Sequence, residues 1–493
     1  MPLIKSISGI RGTIGDTPGE DLTPNDVIKF TSAFITLLRE KKQISNLNSQ
    51  FSILIGRDAR TSGAVLSFLV CSTLQNLGVN VIDVGLSTTP SVEMAVVKHK
   101  ADGGIILTAS HNPMEWNALK LLNEKGEFIS AEEGKRLLEI AETEEVVFVD
   151  EKHRGSYTKY ENAIEDHIQE ILKLDLVDVK AIREADFSVI FDAVNSTGGI
   201  AIPLLLEKLG VKKHKALFGE PTGIFPHNPE PLPEHLSEIS RAMRGEISDM
   251  RYEILDIRYQ ISDFKSQISI LNSQFYNVGF VVDPDVDRLA IVMENGEMFG
   301  EEYTLVAVAD YVLQHKKGNT VSNLSSSRAL RDVSEKHNVT YTPAAVGEVN
   351  VVEMMKATNA IIGGEGNGGV ILPELHYGRD ALVGIALFLS FMAKTKLQCS
   401  EIKALYPHYV ISKNKIELTP DINIQELLQK VAQQYAAFNP NTIDGVKIDF
   451  EHGWVHLRPS NTEPIIRIYA EAKNETEAEK LVNDIKQVIN LKK

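Results

Sequence analysis

Gly104-Ile105-Ile106-Leu107-Thr108-Ala109-Ser110-His111-Asn112-Pro113 decides the fold. Four residues suited to a buried strand run straight into polar, turn-forming ones. The same grammar recurs along the chain. Residues 51–55 run into Gly56-Arg57-Asp58, and 187–191 into Asp192-Ala193-Val194-Asn195-Ser196-Thr197-Gly198-Gly199. Residues 279–282 lead to Asp283-Pro284-Asp285-Val286-Asp287-Arg288, and 360–362 to Gly364-Glu365-Gly366-Asn367-Gly368-Gly369. Helical patterns stand between these runs. Such alternation predicts an α/β protein of three related α/β domains with mixed, mostly parallel sheets, whose ligands bind where strands end. From Lys415 the pattern changes to strand, helix to about Tyr435, strands near 446–450 and 464–472, and a closing helix from Glu475. That tail reads as a C-terminal α+β domain. The expected domains are 1–155, 156–290, 291–400 and 401–493.

A chain of 493 residues exceeds what one core supports. With 67 acidic against 51 basic residues, net −16, it offers no general basic face, so no nucleic-acid partner is expected. Cys71 and Cys399 stand far apart and form no disulfide framework, which points to a reducing cytoplasm. The start, Met1-Pro2-Leu3-Ile4-Lys5-Ser6, lacks a signal peptide's apolar core, and the apolar stretch 381–393 is too short to span a bilayer. A soluble, cytoplasmic protein without a membrane partner is expected.

Three polar stretches carry chemistry. Ser110 supplies a hydroxyl, which alone is a poor nucleophile, although a phosphoserine is a ready donor once its charge is neutralised. Ser110-His111-Asn112-Pro113 also reads as an ordinary turn, and His111 as either a proton carrier or a hydrogen-bonded structural residue. Asp283, Asp285 and Asp287 alternate, so an extended strand would direct all three to one side. Crowded carboxylates need a cation, and hard oxygen ligands suit Mg²⁺, with a phosphoserine oxygen completing the set. The other reading is an acidic surface loop. Arg288, beside the acids, suits a transferring phosphate. Arg458, Ser460, Asn461 and Thr462, supported by Arg467, offer a charged fork, two hydroxyls and an amide, a set that fits a held phosphate as well as it fits a surface turn. Together these features imply metal-assisted phosphoryl transfer.

In these residues the chain resembles the α-D-phosphohexomutases, the phosphoglucomutases, phosphomannomutases and phosphoglucosamine mutases. Residues 108–113 match the phosphoserine loop, 283–288 the metal loop, 364–369 the sugar loop and 458–464 the phosphate loop, in the family's order. The resemblance implies that Ser110 is phosphorylated and joins the metal ligands. It places Lys120 near the reacting hydroxyl, where composition alone would read a solvated surface lysine. It places Arg11, in Gly9-Ile10-Arg11-Gly12, in a loop facing the phosphoserine, and Glu365, Gly366, Asn367 and Gly347 on the sugar. Residues 56–63 resemble another family loop and read as structural. The implied reaction passes phosphate from Ser110 to a hexose monophosphate; the bisphosphate turns over, and the other phosphate returns. A mobile last domain would let it turn.

The opening 7–13 and the glycine-rich loop look most like phosphoglucosamine mutases, which convert glucosamine 6-phosphate to glucosamine 1-phosphate. Asn367 stands where the family usually has Ser, and Gly369 where bacterial relatives often have His. The alternatives are phosphomannomutase or phosphoglucomutase and, outside the mutases, a phosphosugar-binding regulator or a phosphatase. Residues 245–277 match nothing in the family. Ile247, Met250, Ile254, Ile257, Ile261, Phe264, Ile268, Leu271 and Phe275 form a heptad seam, and 265–275 nearly repeat 41–51. The segment reads either as an arm that makes a homo-oligomer or, preferred here, as a tolerated insertion of duplicated sequence.

Overall fold

A computed structural model describes residues 3–6, 9–43, 51–143, 145–246, 276–417, 423–459 and 465–489. The heptad seam, the second half of its near-repeat at 44–50, and Ser460, Asn461 and Thr462 lie outside the described residues.

The first sheet contains β1 (Ile4–Ser6), β2 (Gly9–Thr13), β3 (Ser52–Arg57), β4 (Asn80–Leu86), β5 (Gly103–Leu107), β6 (Trp116–Leu122) and β7 (Tyr157–Lys159). Their order is β1-β2-β6-β5-β3-β4-β7. The second has β8 (Ser188–Asp192), β9 (Lys213–Leu217), β10 (Val278–Val282) and β11 (Leu289–Met293), in the order β11-β10-β8-β9. In the third, β12 (Asn319–Asn323), β13 (Tyr341–Ala344), β14 (Ala360–Glu365) and β15 (Gly369–Ile371) are ordered β13-β12-β14-β15.

One four-strand plan lies inside all three. Two strands pair in parallel, a third joins the first in parallel, and a fourth folds back antiparallel on the third. The serine loop, the aspartate loop and the glycine-rich loop each occupy the same connection, from third strand to fourth. This recurrence makes the three α/β domains related in topology where no sequence repeat is visible, and it explains why their polar loops meet: equivalent strand ends face a common centre. Last comes an antiparallel sheet of β16 (Val410–Glu417), β17 (Val446–Phe450), β18 (Gly453–Pro459) and β19 (Ile465–Ala472), ordered β16-β19-β18-β17. The helices Ile424–Gln434 and Glu475–Ile489 pack on it, completing the α+β domain.

The apolar run at 381–393 becomes the helix Ala381–Thr395, buried from its first residue through Met392. A helix apolar all round belongs inside a core, and this one lies in a single hydrophobic cluster that continues from the second domain (Phe191, Phe280) into the third (Phe388, Tyr406). Among the described residues, no helix is long and apolar enough to cross a membrane. Cys71 and Cys399 are both free and buried.

Candidate active site

Ser110 sits just past β5 at φ +49°. A left-handed conformation is uncommon for a serine, so surrounding bonds must hold it. Its N–H donates to Thr108 Oγ1 at 2.9 Å. Arg60, 1% exposed, donates to the carbonyls of Ser110 and Asn112 at 2.6 Å each and of Trp116 at 3.0 Å, and also to that of Pro113. Asp58 fixes that guanidinium at 3.0 Å while accepting from Thr108 Oγ1 at 2.6 Å. The loop at 56–63 is therefore the brace of the serine loop.

The Ser110 hydroxyl donates to Asp283 Oδ2 across the domain boundary at 2.8 Å. The aspartate segment is not the extended strand that its alternation predicts. β10 ends at Val282, and the chain then turns, with Val286 at φ +60°, a costly setting for a β-branched residue. Asp283 Oδ1 accepts from the N–H groups of Asp287 and Arg288, both at 3.1 Å. Ser196 and Thr197 donate to the Pro284 carbonyl at 2.7 Å each. The three carboxylates, all fully buried, each place an oxygen within 4.8 Å of the others.

Cations from two other domains face them. Lys120, on β6, donates to Asp285 Oδ2 at 2.7 Å, and Thr89 Oγ1 donates to the same oxygen at 2.6 Å. Arg379 donates to Asp287 Oδ2 and to Glu365 Oε2, both at 2.7 Å, and lies 3.2 Å from Glu348. Burial raises the carboxyl of Asp283 well above its ordinary value, and Asp287 and Asp285 push it further. Burial acts on Asp287 in the same sense, yet Arg379, Lys120 and Arg288 outweigh it and hold that carboxyl low. Burial would lower Lys120, but Asp285 and Asp287 keep it above its usual value. Asp285 Oδ1 and Asp287 Oδ1 are buried and accept no hydrogen bond among the described residues. Two free carboxylate oxygens beside Ser110 fit a hard divalent cation, and a phosphoryl group arriving there would otherwise add like charge.

His111 Nδ1 lies 3.5 Å from Ser110 Oγ. Burial, then Arg288 and Arg11, lower its pKa well below the ordinary histidine value, so it is neutral at pH 7. Arg11 lies on β2, paired opposite Ala118, and not in a loop as its motif predicts. Arg288 stands 3.8 Å from Glu230 and 3.9 Å from Asp287.

The glycine-rich loop is shorter than its sequence suggests, because β14 continues through Gly363 and Gly364 and makes Glu365 its last residue. Gly364, at φ +152°, has the carbonyl of Gly369 where a Cβ would stand, 1.9 Å away. Glu365 Oε1 accepts from Asn323 at 2.9 Å and from the N–H of Gly347 at 3.2 Å. Asn367 lies 3.5 Å from Glu365 Oε2, and the Gly366 N–H donates to Ser326 at 2.9 Å. The Leu289 N–H donates to the Gly368 carbonyl at 3.0 Å, which links this loop to the strand after the aspartates. Arg458 and Arg467 are directly opposite each other on β18 and β19. Arg458 is 3.6 Å from Asp444.

Sequence reasoning missed Arg379 and Thr89 and gave Arg60 no part in the site. The available signal for Arg379 was Arg379-Asp380 immediately before an all-apolar helix, a charged pair with no solvent-facing helix to serve.

Residues 4–147 match the phosphoglucomutase/phosphomannomutase α/β/α domain I, 165–252 domain II, 300–409 domain III and 417–488 the C-terminal domain. A phosphoglucomutase/phosphomannomutase of Thermococcus kodakarensis is 33% identical over 95% of this chain and 94% of its own. A phosphoglucosamine/phosphogalactosamine mutase of Sulfurisphaera tokodaii is 29% identical over 98% of both. The crystal structure of a phosphoglucomutase/phosphomannomutase family protein from Burkholderia thailandensis shares the fold, with a TM-score of 0.79, 23% identity and coverage of 99% of this chain and 97% of that one. The chain belongs to the phosphoglucomutase/phosphomannomutase family, a class of mutases that move phosphate within a sugar. It is an α-D-phosphohexomutase, with all four of the family's domains in order.

Proposed function

We propose that this protein interconverts glucosamine 6-phosphate and glucosamine 1-phosphate in the cytoplasm, through a phosphoserine at Ser110 and a hexosamine bisphosphate. The observation that carries the reading is the buried hydroxyl of Ser110 on Asp283, in a loop that Arg60 holds by four carbonyls. Asp283, Asp285 and Asp287, with an oxygen of phosphorylated Ser110, would hold Mg²⁺. When bound, it neutralises charge on the transferring group.

The protein's own residues do the rest. Lys120, Arg11 and Arg288 surround the phosphoryl group with fixed positive charge, which a loose phosphoryl-transfer transition state needs more than covalent help. The phosphorus–oxygen bond to Ser110 breaks as one forms to the free sugar hydroxyl, and neutral His111 takes that hydroxyl's proton and passes it to the departing Ser110 oxygen, 3.5 Å from its Nδ1. Glu365, held by Arg379 and Asn323, accepts from sugar hydroxyls beside Gly347, Gly366 and Asn367. Arg458 and Arg467, with Ser460, Asn461 and Thr462, grip the phosphate that is not being transferred.

A second reading, phosphoglucomutase or phosphomannomutase, is favoured by the name of the 33%-identical relative, whereas the Sulfurisphaera relative supports the amino sugar. One assay separates them: glucosamine 6-phosphate, glucose 1-phosphate and mannose 1-phosphate, each with Mg²⁺ and a trace of its bisphosphate. Fastest isomerisation of the amino sugar is expected. Release of free phosphate without isomer would overturn mutase action.

A further inference from the structure

Behind the aspartate loop, a second polar cluster closes where three domains meet. Glu93 comes from the helix Thr89–His99 of the first domain, His167 from the helix Ala163–Leu172 ahead of the second sheet, and His376 and Asp380 from the segment before Ala381–Thr395 in the third. Glu93, His167 and Asp380 are at most 2% exposed. His167 Nε2 lies 2.9 Å from Asp380 Oδ2, and His376 Nε2 lies 3.5 Å from the same oxygen. His376 Nδ1 is 3.1 Å from Glu93 Oε2.

These distances are short, but the bonding is incomplete. Both carboxylate oxygens of Glu93 and both ring nitrogens of His376 are buried and make no aligned hydrogen bond among the described residues. His376 is thus joined to Glu93 and Asp380 by ion-pair contact without well-aligned hydrogen bonds, which leaves its Nε2 open to a better partner. The other atoms are already oriented. Asp380 Oδ1 accepts from the N–H groups of Leu382 and Val383 at 2.8 and 3.2 Å, which leaves Oδ2 for the histidines. His167 Nδ1 rests 3.0 Å from Ser91 Oγ, and with the proton on that nitrogen Nε2 is presented as metal-binding histidines present theirs. Gly378 lets the Glu93 carboxylate come close, since a Cβ there would meet Glu93 Oε2 at 1.9 Å.

We propose that His167, His376 and Asp380 form a binding site for a divalent transition-metal ion, of which zinc is the best match, with Glu93 on Nδ1 of His376 orienting that ring towards the ion. Two imidazoles and one carboxylate, with the fourth position left to water, suit zinc, whereas the all-oxygen aspartate site suits magnesium. Tetrahedral ligands about 2 Å from an ion stand a little over 3 Å apart, close to the separations of Asp380 Oδ2 from the two rings. The ion would clamp two domains, and a third through Glu93, one layer behind the chemistry. Thr89, at the head of the Glu93 helix, reaches Asp285, and Arg379, next to Asp380, reaches Asp287.

The test uses the whole protein, stripped with chelator and titrated with Co²⁺ in excess Mg²⁺, which fills the all-oxygen site. Wild type and Asp285→Asn should each bind one equivalent of Co²⁺ with visible d–d absorption. His376→Gln and His167→Gln should lose both the equivalent and the absorption. Equal binding by wild type and the histidine variants would overturn the proposal, as would the absence of a Co²⁺ equivalent in wild type under excess Mg²⁺. Should the histidine variants fail to fold, zinc-edge X-ray absorption of the wild-type protein decides. Imidazole scattering at about 2.0–2.1 Å supports the site, and an oxygen-only shell, or no zinc taken up, refutes it.

Discussion

Two seams join the four domains, and they are built differently. The first three domains meet through fully buried charge: Ser110 on Asp283, Lys120 and Thr89 on Asp285, Arg379 on Asp287 and Glu365. Every one of these bonds carries a residue assigned to the reaction or a residue that touches one. The C-terminal domain joins the third through fewer buried groups. Glu471 accepts from the Arg328 N–H at 3.0 Å, and His456 bridges Ser325 and the Asp444 carbonyl at 2.9 and 2.6 Å. Its further ties include the Val346 N–H on Asp444 at 3.0 Å, Arg328 on the carbonyls of Phe450 and Glu451 at 3.4 and 3.2 Å, and the partly exposed ion pairs of Lys413 with Glu301 and Arg331 with Asp449, which contribute little each. Opening the first seam would strand buried charges, at about 3–5 kcal/mol for each broken pair. Opening the second leaves mostly hydrated groups. The difference puts the more heavily bonded seam around Ser110 and the more hydrated one beside the domain that carries Arg458, in keeping with the proposed turning of a bisphosphate.

Removing the cation that serves the first seam should have the largest effect. Arg379→Met leaves Asp287, Glu365 and Glu348 without their shared partner, so stability should fall by about 3–5 kcal/mol and turnover by about a hundredfold or more. Denaturant unfolding and steady-state kinetics read the two losses. If both stay near wild type, the buried seam does not organise the site.

Asp285→Asn removes one charge and little volume. Mg²⁺ affinity should drop on the order of a hundredfold, with activity partly restored by excess Mg²⁺ in a titration. Full activity of the wild-type protein after exhaustive chelation would count against the aspartate site.

Arg60→Lys keeps the charge but loses the fork that reaches four carbonyls. A serine loop displaced by a fraction of an ångström should lower kcat about tenfold to a hundredfold with KM nearly unchanged. A change confined to KM would place Arg60 with the substrate instead.

The smallest effect lies at the second seam. Burial lowers His456 from 6.5 to about 4, so the folded state favours the neutral ring. Its contribution is complete above pH 6.5 and declines as pH falls from 6.5 towards 4, because only the unfolded chain binds the proton there. The Tm difference between wild type and His456→Gln should narrow over that interval. A difference that widens on acidification would reverse the assignment.

Much of this was legible in the sequence. Strands ending at polar loops gave the α/β plan, and Ser110 and the three aspartates stood out because nothing in a core calls for them. Arg379 and Arg60 did not stand out, since their partners lie 92 and 50 residues away and no local period marks a buried guanidinium. The aspartates were read as a strand because alternation implies one; the turn depends on Val286 at positive φ, a setting that β-branched residues rarely adopt. The shared strand order of the three domains was invisible for a related reason. Topology is kept by which strands pair, and apolar strands of unrelated sequence pair equally well.

The most direct test follows phosphate on the peptide containing Ser110. Phosphorylated protein is mixed with one equivalent of glucosamine 6-phosphate and Mg²⁺, quenched at intervals and measured by mass spectrometry. The phosphoryl mass is expected to leave that peptide as hexosamine bisphosphate appears, and to return as glucosamine 1-phosphate forms, while Ser110→Ala shows neither. Isomer accumulating while the Ser110 peptide stays unchanged, or an active Ser110→Ala protein, would contradict transfer through this serine.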